Sequence, residues 1–215
     1  MEINEGRGNA SKFVIRALLP MLRDMDCKLV SIDGGNLKNA IPREAEAVIA
    51  VPADAVEDAK KVVEETDAVL RKEYGKVEKD FTLFIEPAKA KTVVAGNTGL
   101  KFIKCLYVVP DGVDRMSLEM EGLVESSNNL AIVKTEKGKF VSSGLMRGAT
   151  DSIKYDQAEA LRCAFELAGG KVVFEGTHQQ MLAYDKNSPS SLTLDYLHRI
   201  RDIEIPTRRS IDGCE

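Results

Sequence analysis

One asparagine and one arginine carry the plainest chemistry this sequence offers. Asn39 lies in GGNLKNAIPREA, residues 34–45, just ahead of the Ile41-Pro42 step that restricts the backbone before it. Its side-chain amide can donate to a carbonyl or carboxylate oxygen. The flanking glycines and the asparagine itself also suit a simple turn, and turn statistics favour that reading. Arg147 closes the stretch FVSSGLMRGA with a planar fork that fits a carboxylate in bidentate fashion. A surface ion pair with Asp151 accounts for it just as well.

Other chemistries find less support. A zinc site draws three or four ligands from Cys, His, Asp and Glu, usually with two His or Cys close together. Here His178 stands alone in GTHQQ and His198 alone in YLHRI. Cys27, Cys105, Cys163 and Cys214 are far apart and form no C-x-x-C, so the expectation is reduced thiols, three of them in apolar surroundings. No G-x-S-x-G nucleophile turn occurs. The stretch NEGRGNAS lacks the Lys-Ser/Thr ending of a phosphate loop and reads as a turn entering a helix.

Residues of this kind need a scaffold, and 215 residues with 44% hydrophobic and 30% charged content describe one ordinary globular unit. The net charge of −4 argues against nucleic acid as the main ligand. No run approaches the roughly 20 apolar residues that cross a bilayer, and MEINEGRGNA lacks the layout of a secretory signal. The expectation is a cytoplasmic protein with neither a membrane nor a nucleic-acid partner.

The elements follow from periodicity. SKFVIRALLPMLRDM, capped by Asn9 or Ser11, spaces Phe13, Val14, Ala17, Leu18 and Met21 as an amphipathic helix with Pro20 inside it. Two strands around a glycine turn follow, in CKLVSIDGG and NAIPREAEAVIAVP. A helix runs from Asp54 to about Tyr74 on a stripe of Val56, Ala59, Val63 and Val69. FTLFIEPA, residues 81–88, reads as a strand. Thr98 starts a helix carrying Leu100, Ile103, Leu106 and Val108, which Pro110 ends. Residues 122–149 read as a hairpin turning at Thr135 to Gly138, and Asp151 or Ser152 opens a helix closed by Gly169 before the strand KVVFEG. SPSSLTLDYLHRIRD, residues 188–202, reads as a helix begun at a serine. These orders predict an α+β fold of ferredoxin-like, split β-α-β antiparallel sheets with helices on one face, and they allow an approximate internal duplication.

Several of these stretches resemble a known family. GRGNASKFVIRALL followed by GGNLKNAIPREAEAVIAV is similar to the lid, or dimerisation, region of bacterial aminoacyl-histidine dipeptidases, a peptidase D group of di-zinc metallopeptidases. PDGVDRMS, VESSNNLAIV and GLMRGATDS continue the similarity in the family's order, over residues 3–176 in all. The resemblance implies that the chain is a lid and dimerisation domain over residues 1–176, with 177–215 a remnant of catalytic-domain sequence. It implies a homodimer, and a dipeptide substrate in the intact enzyme. Matched by motif, Asn39 and Arg147 fall on the asparagine and arginine that hold the substrate's C-terminal carboxylate. Asn129, in SSNNLA, matches a further family asparagine and completes the candidate substrate-binding set.

The departures bear on activity. The family's His-x-Asp segment, bridging Asp, Glu-Glu pair and terminal histidine segment have no counterpart here, so the expectation is that this chain holds neither of the two zinc ions and is inactive by itself. Two readings of other classes stand beside it: a free-standing dimeric module that binds amino acids or peptides, and a structural interaction domain with an exposed sheet edge.

Overall fold

The computed structural model describes residues 3–175 and 194–204. Its framework is one antiparallel sheet joined by four helices: α1 (Ala10–Asp24), β1 (Lys28–Gly34), β2 (Ala45–Ala50), α2 (Val56–Tyr74), α3 (Thr98–Val108), β3 (Gly112–Met116), β4 (Val124–Glu136), β5 (Lys139–Gly148), α4 (Asp151–Leu167), β6 (Lys171–Glu175) and β7 (Leu194–Glu204). The strands lie in the order β2-β1-β4-β5-β7-β6, and β3 pairs with β4 alone. The α+β class and the antiparallel pairing are as the sequence predicts, within a single sheet of seven strands.

All four helices share one apolar cluster with residues of β1, β4 and β5. Two bulges make this geometrically consistent. Leu29 and Ile32 are three apart yet both buried in the cluster, because the β1–β2 register passes from Leu29↔Ile49 to Ser31↔Val48 and leaves Val30 extra. In β4 the extra residue is Ala131, which returns Val133 to the face of Leu130. β5 reaches the same face with Phe140 and Met146, and the Phe140 ring stacks on Phe102 of α3 at 4.5 Å. Ser127, Asn129, Leu145 and Arg147 alternate with these positions, so they occupy the opposite face of the sheet.

The helices follow their caps. Asn9 opens α1 by accepting from Lys12 N at 3.3 Å, and Pro20 sits inside that helix without ending it. In α4 the cap is Thr150, one residue ahead of the expected pair. α3 begins at Thr98 with Asn97 before it, and that cap makes no side-chain bond. Buried positions of α2 are Ala59, Val63 and Leu70, whereas Val56 and Val69 are exposed, and Val108 of α3 is also exposed. The hairpin turn is confirmed at Lys137 and Gly138, both with positive φ, as the twist of a two-residue hairpin requires.

Two expectations change, and one strand was not foreseen. Residues 81–88 are extended but join no ladder: Leu83 N donates instead to Asp67 of α2 at 3.1 Å, and Leu83 and Ile85 pack against the cluster. Leu194–Glu204 is a strand rather than a helix, because β5 and β6 both offer it ladder partners; residues 188–193 lie outside the described residues. β3 was not legible, since its apolar face is thin: Val113, Asp114, Arg115 and Met116 are all exposed.

Candidate functional site

The motif of residues 34–45 forms the end of β1, a loop, and the start of β2. Its two glycines answer to space. A Cβ on Gly34 would meet Ser11 Oγ at 2.4 Å and Ala45 Cβ at 2.9 Å. Gly35 has φ +70 and presses on β4, where a Cβ would lie 1.9 Å from the Ala131 carbonyl oxygen. The loop is then tied at four points. Gly35 N donates to Glu44 O at 3.4 Å, closing it, and Ala40 N donates to Leu37 O at 3.2 Å, making the turn that carries Asn39. Ala10 N, an otherwise unpartnered amide of the first turn of α1, donates to Pro42 O at 3.0 Å. Asn129 Nδ2 donates to Ala40 O at 2.8 Å.

That last bond brings the sequence-predicted residues into one neighbourhood. Asn39 is exposed in its turn, next to the carbonyl that Asn129 holds. Asn129 pairs across the ladder with Leu145, and Arg147, half-buried, pairs with Ser127. Asn129 and Arg147 are therefore diagonal neighbours on the sheet face away from the helices, about 7–8 Å apart in such a ladder and somewhat closer between Cβ atoms. An open groove of about 760 Å³ lies beside the loop, lined by Gly35, Leu37, Ala40 and Pro42 among others. None of Asn39, Asn129 and Arg147 lines that groove, and an amide and a guanidinium are groups that can each meet a carboxylate.

Asn128 repeats the device on the other face: its Nδ2 donates to Pro110 O at 2.5 Å, ahead of β3. Consecutive asparagines of β4 thus each hold a loop, one on either side of the sheet.

The sequence reading missed a buried polar cluster that sets this geometry. Neither β1 nor β3 pairs with Leu130, and side chains fill the gap. Asp111 Oδ1 accepts from Leu130 N at 2.8 Å, and Asn9 Nδ2 donates to Leu130 O at 3.0 Å and to Asp111 Oδ1 at 2.9 Å. Asn9 thereby caps α1 and locks its start to β4. Lys12 Nζ donates to the carbonyls of Leu106 at 2.8 Å, Tyr107 at 3.2 Å and Val109, satisfying the end of α3. Burial lowers the Lys12 ammonium to about 8, opposed by the nearby Asp111 charge, and burial raises the Asp111 carboxyl against its hydrogen bonds and Lys12. The Asn at the end of GRGNA was the available signal, but its partners lie more than a hundred positions away.

Among the described residues no three His, Cys, Asp or Glu side chains gather as metal ligands. These described residues therefore do not fit a di-zinc centre. His178 lies outside the described residues. Cys27 and Cys105 are buried, and burial pushes the Cys105 thiol up to about 12, while Cys163 is exposed; Cys214 lies outside the described residues. No described helix is long and apolar enough to cross a membrane.

Residues 2–78 match the peptidase dimerisation domain family, which takes in α1, β1, β2 and α2. The chain is 35% identical over 189 residues to the cytosol non-specific dipeptidase of Escherichia coli (strain K12), covering 87% of this chain and 39% of that protein. The crystal structure of the aminoacylhistidine dipeptidase from Vibrio alginolyticus superposes with a TM-score of 0.74 at 37% identity, over 78% of this chain and 34% of that one. The chain is a homologue of dipeptidases that carries a peptidase dimerisation domain and corresponds to a minor part of their length.

Proposed function

We propose that this chain is the lid and dimerisation portion of an aminoacyl-histidine dipeptidase, and that it serves the intact enzyme by binding the C-terminal carboxylate of an Xaa-His dipeptide. Asn39 and Arg147 are the carboxylate ligands, and Asn129 completes their site. The observation that carries this reading is the 2.8 Å bond from Asn129 to Ala40, which ties the loop of Asn39 to the strand pair that bears Arg147. A neutral amide and a guanidinium can together saturate a carboxylate and fix the scissile bond relative to a reactive centre. On this reading residues 1–176 form the lid and dimerisation domain and residues 177–215 are a remnant of catalytic-domain sequence. The two zinc ions belong to the catalytic domain, where they would polarise the scissile carbonyl and activate water. The setting is cytoplasmic, and this chain by itself is inactive.

Light scattering across protein concentration tests the assembly: the expected mass is twice the monomer at micromolar concentration, and a monomer throughout contradicts it. Assays of the chain alone with Xaa-His dipeptides, with zinc supplied, test the division of labour. No turnover is expected, and sustained hydrolysis contradicts the reading.

A further inference from the structure

We infer that Asn129 also reads the ligand, accepting through Oδ1 the N–H next to the bound carboxylate, so that the site selects acids whose α-nitrogen carries a hydrogen. This rests on the carboxylate reading above.

The amide orientation is fixed by its partner. Ala40 O can only accept, so the atom facing it is Nδ2 and the other is Oδ1. That Oδ1 is buried, in a residue 1% exposed, and has no hydrogen-bond partner among the described residues. Leaving such an acceptor unmet costs about 1–3 kcal/mol. A second case stands on the same strand face: Ser143 Oγ is buried without a partner among the described residues, and Ser143, Leu145 and Arg147 alternate along β5 on the side of Asn129. Where the pleat away from the helices could have been apolar, it carries Arg147, Asn129 and Ser143 in a row.

A ligand laid along this row places its carboxylate at Arg147 and its next polar group, the amide N–H of an acylated α-amino acid, toward Asn129. Asn129 then works in both directions. Nδ2 holds the loop bearing one carboxylate ligand, and Oδ1 receives the hydrogen of the group beside that carboxylate. A tertiary amide nitrogen has no hydrogen to give and leaves Oδ1 unmet.

The test is titration of the 215-residue chain with N-acetylglycine and with N-acetylsarcosine, followed by amide NMR spectra, in the native form and in Asn129→Ala and Arg147→Ala. Expected are about tenfold tighter binding of N-acetylglycine to the native chain, loss of that preference in Asn129→Ala, and weakening of both acids in Arg147→Ala. Equal affinities in the native chain, with both acids still weakened by Arg147→Ala, overturn this inference and leave the carboxylate reading standing. A preference that survives in Asn129→Ala also overturns it. Affinities unmoved by Arg147→Ala overturn both. The native comparison stands even where a variant fails to fold.

Discussion

Asn129 and Ala40 are 89 residues apart in sequence and 2.8 Å apart in space, side-chain amide to backbone carbonyl. Through this bond a surface loop takes its position from the middle of the sheet. Because Asn128 grips Pro110 on the opposite face, β4 acts as the common reference for two loops that no ladder reaches.

Gly35→Ala should cost more than Gly138→Ala. Both residues have positive φ, which alone costs an L-residue about 1–2 kcal/mol. Gly138 has open space around it, whereas a methyl on Gly35 would sit 1.9 Å from Ala131 O and force the loop off β4. Chemical denaturation should show about 1 kcal/mol lost for Gly138→Ala and at least twice that for Gly35→Ala. Equal costs would contradict the contact.

Asn9→Ala removes a helix cap and, in the same step, two donations to buried oxygens. The cap is worth about 1 kcal/mol and an orphaned buried acceptor about 1–3 kcal/mol, so a loss of about 2–4 kcal/mol is expected in denaturant midpoint data. A loss confined to the value of the cap would show that Asp111 and Leu130 find other partners.

Lys12 gives stability an alkaline dependence. Its folded value of about 8 lies below the usual 10.5 because burial disfavours the charge. Below pH 8 the side chain is protonated whether folded or not. From about 8 to 10.5 the unfolded chain binds more protons, so stability rises with pH through that window. The melting temperature of the native chain, less that of Lys12→Met, should therefore climb between pH 8 and pH 10. A constant or falling difference contradicts the assignment.

Much of the fold was legible because it is local. Helix caps, the Lys137-Gly138 turn and the stripe of α1 depend on neighbours within a few residues. What escaped depends on distant partners. FTLFIEPA has strand-like residues, yet Asp67 and the cluster claim it instead of a ladder. Residues 194–204 suit a helix until β5 and β6 are in place to receive them. At the site, residue chemistry nominated Asn39 and Arg147, turn and surface-pair readings served the bare residues as well, and the resemblance tipped the balance. Register puts Arg147 on the sheet face of Asn129, and the Asn129 bond holds the carbonyl of Ala40, next to Asn39 in the chain. Asn9 was legible as a cap, but its link to Asp111, and the role of Lys12, were not, because nothing near them in sequence marks them as partners.

The central claim is that this chain holds a substrate carboxylate, and the most direct measurement is the hydrolysis of a matched pair of substrates. In an intact dipeptidase that carries this chain in place of its own matching segment, Arg147→Ala is compared with the parent on an Xaa-His dipeptide and on its C-terminal amide. Losing charged hydrogen bonds worth about 1.5–3 kcal/mol should lower kcat/KM for the free acid by roughly ten- to a hundredfold and leave the amide nearly unchanged. Equal loss on both substrates would contradict the claim.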